Sequence, residues 1–172
     1  MSAREIADVK LSEQVTIGGE TLQLNGVGIR TKFFFKIYIG ALYLPAKQND
    51  AAKILSSNST NRIVMHFLYD EVEKEKLVDA WLEGFEENTD GKTFSDLQDR
   101  LKKFNAMFVT LHKGDVVLLD YSAGNGTQVT IKNEVKGNIE GADFNKALLS
   151  VWLGDEPVTD ELKNAMLGVA DE

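Results

Sequence analysis

Residues Leu24–Pro45, LNGVGIRTKFFFKIYIGALYLP, carry the strongest sequence signal for the fold of this chain. It contains three consecutive phenylalanines, two tyrosines and one arginine. From Lys32 to Leu44, the enrichment in aromatic and β-branched residues is typical of a strand that is buried on much of both faces. The run is too short, and too interrupted by Lys36, to span a membrane. We therefore expect one long buried strand at the centre of a sheet.

Arg30 is the residue of this stretch that bears most on function. A guanidinium stays charged at any relevant pH, and burying it without a partner is costly. Arg30 must therefore reach water, a carboxylate on a helix, or an anionic ligand. The sequence alone leaves the structural ion pair and the ligand contact both open.

Tyr38 is the second residue of interest, either as an aromatic core residue with a satisfied hydroxyl or as a ligand contact. If the chain were fully extended, Arg30 and Tyr38 would face the same side and stand roughly 26 Å apart. That separation is too large for one small molecule. A joint site requires the chain to bend between Gly28 and Phe33.

The composition indicates one globular domain, residues 1–172, with 43% hydrophobic and 27% charged residues. The net charge of −8 disfavours binding to nucleic acid and to anionic membrane surfaces. No integral membrane segment is expected. The absence of cysteine excludes disulfides, thiol catalysis and Cys-ligated metals.

The remaining motifs argue against common enzyme classes. His66 and His112 are far apart and show no metal-ligand spacing, so no metal site is expected. No GxSxG motif is present. Gly26 and Gly28 superficially resemble a phosphate loop but lack its third glycine and the helix that follows it. We therefore expect no cofactor.

The order of local patterns predicts an α+β fold with a mostly antiparallel sheet covered by helices on one face. Gly18-Gly19 marks a hairpin, and Asn25 to Gly28 is expected to break or bend the chain. Further strands and helices are predicted from period-two and period-3.6 patterns and from capping residues. They comprise a helix after Asp50, a strand over Asn61–Tyr69, a helix from Glu73, a helix capped by Thr93 or Ser95, strands over Asp115–Tyr121, Thr127–Ile131 and Val135–Ile139, a helix over Ala142–Leu153 and a last helix after Thr159.

Three passages resemble the chalcone isomerase superfamily, in its bacterial chalcone isomerase-like branch. They are GVGIR followed by KFFFKIYIGALYLP, then MHFLYDEVEKEKLVDAWLEGF, and GADFNKALLSVWLGDEPVTDELKNAMLG near the end. Together they cover nearly the whole chain in the family's order. The resemblance implies an open-faced β-sandwich, in which a helical layer covers a large antiparallel sheet and a ligand cleft lies between them.

The resemblance also implies roles for single residues. The superfamily includes enzymes that cyclise chalcones, fatty-acid-binding members, and members without an established activity. Arg30 matches the arginine that stabilises an oxyanion in the enzymes, and Tyr38 lies where they have a threonine. Glu73 and Ala80 fall near the positions of an enzyme tyrosine and asparagine, so neither of those is kept.

These matches favour a non-catalytic binding protein for a small hydrophobic molecule with an anionic head, fatty-acid-like or phenolic, with Arg30 and Tyr38 as the ligand-binding residues. One alternative is a chalcone isomerase-type intramolecular lyase that uses Arg30 to stabilise an oxyanion. A second alternative is a partner-binding protein in which Arg30 is only structural. The oligomeric state stays open.

The N-terminus MSAREIADVKL lacks the apolar core of a signal peptide. AREIADVKL nevertheless resembles the start of a chain after a leader is cut, and the cysteine-free composition is compatible with a periplasm. We expect a periplasmic protein. If the native reading frame begins at Met1, the expected compartment is the cytoplasm.

Overall fold

A computed structural model describes residues 2–169; Met1 and residues 170–172, at the ends of the predicted domain, lie outside the described part. The strands are β1 Ala3–Ile6, β2 Val9–Ser12, β3 Gln14–Ile17, β4 Glu20–Lys32, β5 Phe35–Leu44, β6 Asn61–Phe67, β7 Glu71–Val72, β8 Leu111–His112, β9 Val116–Ser122, β10 Gly126–Ile131 and β11 Glu134–Ile139. The helices are α1 Ala51–Ser56, α2 Lys74–Asn88, α3 Gly91–Asp96, α4 Gln98–Ala106, α5 Ala142–Leu153 and α6 Asp160–Met166.

A seven-stranded antiparallel sheet forms the centre of the molecule, in the order β11-β10-β9-β6-β5-β4-β3. The helices lie on one face, where α5 is held to β6 by a buried hydrogen bond from Asn61 Nδ2 to Asn145 Oδ1 of 3.0 Å. On the other face lies the β1–β2 hairpin, and the Tyr43 hydroxyl donates across to the carbonyl of Ser12 at 2.7 Å. The predicted α+β class and the helix-covered antiparallel sheet are confirmed.

The main core lies between the sheet and the helices, where burial of large aromatic side chains supplies most of the hydrophobic stabilisation. The largest buried side chains of this layer include Trp152, Phe67, Phe85, Phe104, Phe108 and Phe144. A smaller cluster on the opposite face joins Leu11 of β2 to Ile39 and Tyr43 of β5. The sheet is therefore apolar on both faces, as expected for the central strands.

The prediction of one strand over Lys32–Leu44 is wrong at its start. β4 ends at Lys32, the chain reverses through Phe33 and Phe34, and β5 begins at Phe35. Phe33 has φ of 58°, a left-handed conformation that two-residue hairpin loops usually give to glycine or asparagine. Because a phenylalanine occupies this position, the turn carries no sequence signal.

The chain does not break at Gly26 and Gly28, because β4 runs through both, and the irregularity at this place is a bulge between Leu24 and Gly26. Their role is to let α6 pack closely against β4. A Cβ atom at Gly26 would collide with the backbone carbonyl of Ala165, and one at Gly28 would lie 2.6 Å from the Cβ of Ala165. These glycines allow a helix to approach the sheet closely.

The predicted caps of the middle helices also differ. Thr93 and Ser95 lie inside α3, whose N-cap is Asp90, with its carboxylate accepting from the Thr93 backbone N–H at 2.7 Å. By contrast, α1 after Asp50, α5 over Ala142–Leu153 and α6 after Thr159 are confirmed. An aspartate preferred at N-caps outcompetes the hydroxyl residues that follow it.

Within residues 2–169, no helix is both long and apolar enough to cross a lipid bilayer. The same range holds no group of three or more His, Asp or Glu side chains that is arranged to hold a metal ion.

Candidate functional site

The turn at Phe33-Phe34 brings Arg30 and Tyr38 together. They are direct partners in the β4–β5 register, at the last pair before the second bulge of the hairpin. Side chains of directly opposed residues lie on one face with Cβ atoms about 5 Å apart. The required bend is therefore present: it is a full reversal at Phe33 and Phe34, at the end of the expected Gly28–Phe33 segment.

Arg30 is half-buried on the helix-facing side of the sheet. Its Nη1 donates to the carbonyl of Thr31 at 3.0 Å. None of the ion pairs formed by the described residues includes Arg30. The structural alternative, an ion pair with a helix carboxylate, thus finds no support in this part of the chain.

Tyr38 is buried, and its hydroxyl accepts a hydrogen bond of 3.0 Å from the indole Nε1 of Trp152 on α5. Desolvation by burial raises the pKa of the Tyr38 hydroxyl to about 12, while the Trp152 hydrogen bond and the Arg30 charge oppose this rise. At neutral pH the hydroxyl is therefore a neutral O–H group. Since its oxygen accepts from Trp152, its proton stays available to donate to an anion.

A cluster of aromatic rings extends from Tyr38 into the layer between sheet and helices. The ring of Tyr38 lies 5.4 Å from that of Phe67, and the ring of Trp152 lies 5.6 Å from that of Trp81. Both tryptophans of the chain belong to this cluster. Trp81 is 3% exposed, and its indole N–H has no hydrogen-bond partner among the described residues.

Sequence reasoning missed Trp81 and Trp152 as candidate site residues. Both fall on the apolar faces of amphipathic helices, where an aromatic residue indicates core packing. The unpaired indole N–H of Trp81 is informative because buried donors are nearly always satisfied in native proteins. Only the packing of α2 against α5 shows where this donor lies: the ring of Trp81 packs against Trp152, which in turn donates the hydrogen bond to Tyr38.

Two pockets open at other places on the described surface. One, of about 470 Å³, lies among α1, the end of α2 and α5; the other, of about 210 Å³, lies beside Leu44 and Pro45. Neither has Arg30 or Tyr38 among its lining residues. The assignment of Arg30 and Tyr38 as ligand contacts therefore stays a prediction.

The residues at the other positions implied by the resemblance lie at the surface of α2. Glu73 is the N-cap of α2 and Ala80 is on its solvent side, and both are exposed. His66 is half-buried on β6, where burial lowers the pKa of its imidazole. His112 is exposed and lies 3.2 Å from a carboxylate oxygen of Glu71. None of these side chains adds an acid or base to the Arg30–Tyr38 pair.

Comparisons with known proteins identify similar structures and a matching family. The solved structure of a fatty-acid binding protein from Arabidopsis thaliana is similar over 96% of each chain, with a TM-score of 0.73 and 15% sequence identity. At that identity the likeness shows a shared fold. No curated protein shows significant sequence similarity to this one. Residues 3–168 match the chalcone isomerase-like family, and the chain therefore belongs to the chalcone isomerase-like family.

Proposed function

We propose that this protein binds, without catalysis, a small hydrophobic molecule with an anionic head, such as a fatty acid or a phenolic acid. The observation that carries the proposal is the pairing of Arg30 with Tyr38 on the helix-facing side of the sheet. Arg30 offers a guanidinium that no carboxylate of the described residues neutralises. Tyr38 offers a neutral hydroxyl proton.

These two donors suit the oxygens of a carboxylate. A guanidinium pairs with a carboxylate through charge-assisted hydrogen bonds, and a phenol can donate to the same oxygens. The raised pKa of the Tyr38 hydroxyl, about 12, supports a hydrogen-bond donor rather than a base at neutral pH. An anion-recognition role fits this chemistry better than proton abstraction does.

The apolar tail of the ligand would enter the aromatic layer next to Tyr38. This layer is closely packed, so the tail requires displacement of side chains between the sheet and the helices. The unpaired N–H of Trp81 supports some rearrangement of this layer on binding, because a polar group or water admitted with the ligand would satisfy it. The fatty-acid binding protein from Arabidopsis thaliana, which shares the fold, supports the same class of ligand.

The test is titration of the protein with palmitate and with its methyl ester, followed by calorimetry and by tryptophan fluorescence. We expect saturable binding of palmitate, weaker binding of the uncharged ester, and a fluorescence change, because Trp152 contacts Tyr38 and Trp81 packs against Trp152. Arg30→Gln should weaken palmitate binding by about tenfold or more, as expected when a charged hydrogen-bond partner is removed. The same substitution should change the affinity for the methyl ester only slightly.

Arg4→Gln is the matched control, because Arg4 carries the same charge and pairs with Glu13 on the opposite face of the sheet. This variant should bind palmitate as the wild type does. Absence of saturable binding to either ligand in the wild type, or equal palmitate affinity in Arg30→Gln, would overturn the proposal.

The lyase alternative depends on Arg30 acting alone, since Glu73 and Ala80 supply no counterpart to the enzyme tyrosine and asparagine. We expect that cyclisation of a hydroxylated chalcone will not exceed the spontaneous rate. Saturable turnover at neutral pH that is lost in Arg30→Gln would favour the enzyme over the binding protein.

A further inference from the structure

The tip of the β4–β5 hairpin exposes three adjacent aromatic side chains. Phe33 is 84% exposed, Phe34 97% and Phe35 55%. Single apolar residues at a surface are ordinary, but a contiguous apolar group on a small domain usually marks an interaction site. No packing role in the described part of the chain accounts for Phe33 and Phe34.

The tip projects beyond the sheet. Pairing of β5 with β6 begins at Tyr38 and Phe67, so residues 31–36 extend past the last strand that supports them. This extension is about 10 Å long at 3.3 Å per residue. Phe35 alone has an aromatic neighbour, Tyr69, with ring centroids 5.5 Å apart in an edge-to-face arrangement. Phe33 and Phe34 therefore form a convex apex.

The backbone of the tip is strained at Phe33, which lies at the apex. Phe33 adopts φ of 58°, which is an outlier for a bulky residue. Glycine or asparagine would occupy this loop position at lower cost. Strain of this kind at an exposed position is typical of a functional requirement for the side chain.

Two lysines flank the aromatic tip. Lys32 and Lys36 are both exposed, and neither takes part in an ion pair among residues 2–169. Asp70 and Glu71 follow Tyr69 in the chain, and a carboxylate oxygen of Glu71 lies 3.2 Å from His112. Lys32 and Lys36 directly flank the three phenylalanines, so a surface that the apex contacts meets these two lysines, although the net charge of the chain is −8. At physiological ionic strength, charges of the protein that lie farther than about 8 Å from such a surface are largely screened.

We infer that this tip inserts into the interfacial region of a lipid bilayer that contains anionic lipids. Apolar aromatic side chains enter the boundary between head groups and acyl chains to a depth of about 5–10 Å, and flanking lysines contact anionic head groups. A bilayer accepts a convex apex without a complementary groove. A protein partner or a second copy would need about 800 Å² of matching surface on each side, more than three phenylalanines supply. The inference does not rest on the proposed ligand.

The test is co-sedimentation with vesicles of phosphatidylcholine alone and of phosphatidylcholine with about 30% phosphatidylglycerol. We expect the wild type to bind the mixed vesicles about tenfold or more tightly than the neutral ones, with a loss of binding at high salt. Phe33→Gly combined with Phe34→Ser should reduce binding to the mixed vesicles by at least about tenfold. Glycine fits φ of 58° at position 33, so this variant keeps its fold.

Lys32→Gln with Lys36→Gln should remove the preference for anionic vesicles. Its matched control is Lys76→Gln with Lys102→Gln, which changes the net charge equally at two exposed lysines on α2 and α4 and should bind as the wild type does. Absence of wild-type binding to mixed vesicles, or unchanged binding after removal of the two phenylalanines, would overturn the inference. A wild-type dimer by light scattering that becomes a monomer in Phe33→Gly, Phe34→Ser would instead assign the tip to contact between copies.

Discussion

The indole Nε1 of Trp152 donates a hydrogen bond of 3.0 Å to the hydroxyl of Tyr38, across 114 positions of the chain. This contact joins α5 to β5 inside the layer between helices and sheet. It also determines the role of the Tyr38 hydroxyl in further hydrogen bonds. An oxygen that already accepts from an indole keeps its own proton for another acceptor. The hydrogen bond therefore contributes to stability and supports the proposed recognition of an anion.

Tyr38→Phe should destabilise the protein by about 1–3 kcal/mol at neutral pH, because the N–H of Trp152 would be left buried without an acceptor. Urea unfolding measures this change in the free energy of unfolding. Tyr69→Phe is the control, since Tyr69 is 37% exposed, and it should change stability by less than about 0.5 kcal/mol. Equal stability of Tyr38→Phe and wild type would show that the hydrogen bond contributes nothing measurable.

The raised pKa of the Tyr38 hydroxyl predicts a loss of stability at alkaline pH. The ordinary pKa of a tyrosine is 10.0, and burial raises that of Tyr38 to about 12. The folded state therefore favours the neutral phenol: this contribution is complete below pH 10 and is lost as the pH rises through 12. It amounts to about 2–3 kcal/mol over the whole interval.

Urea unfolding at a series of pH values from neutral to alkaline should show this decline in the wild type and a smaller decline in Tyr38→Phe. The comparison isolates Tyr38, because burial also raises the pKa of the hydroxyls of Tyr43 and Tyr121. Parallel pH dependence of the two proteins above pH 10 would contradict the prediction.

Gly26→Ala should destabilise the protein by about 3 kcal/mol or more, because the added methyl group would collide with the backbone carbonyl of Ala165 and displace α6. Gly91→Ala is the matched control. Nothing lies within 4 Å of a Cβ atom at Gly91, which begins α3, so this change should be neutral or slightly stabilising. Thermal unfolding compares the two, and tolerance of alanine at position 26 would contradict the packing of α6 on β4.

Phe33→Gly should stabilise the protein by about 0.5–1 kcal/mol, because glycine adopts φ of 58° without the steric cost that a phenylalanine incurs there. Phe34→Gly is the control at the neighbouring exposed position, where φ is not positive, and should be neutral or destabilising. Urea unfolding distinguishes the two. A lower stability of Phe33→Gly than of wild type would mean that the Phe33 side chain packs more than its 84% exposure indicates.

Several elements of this fold follow from local patterns and were predictable from the amino-acid sequence. Periodicity and capping residues predicted α5 over Ala142–Leu153, the start of α6 after Thr159 and the hairpin at Gly18-Gly19. The chemistry of a guanidinium beside a buried strand indicated Arg30, and the family resemblance added the chalcone isomerase-like fold and a ligand-binding role for Arg30 and Tyr38. These signals are readable because each arises from residues within a few positions of one another.

The assembly of the candidate site depends on long-range packing and is visible only in the three-dimensional structure. Phe33 gives no turn signal, so the sequence predicts only that a joint site needs a bend, and not that a hairpin reversal places Arg30 directly opposite Tyr38. The partnership of Tyr38 with Trp152 depends on how α5 packs on the sheet. Strand register and helix packing are set by the burial of whole surfaces against one another. Contacts between residues that are far apart in the chain produce no periodic pattern in the sequence.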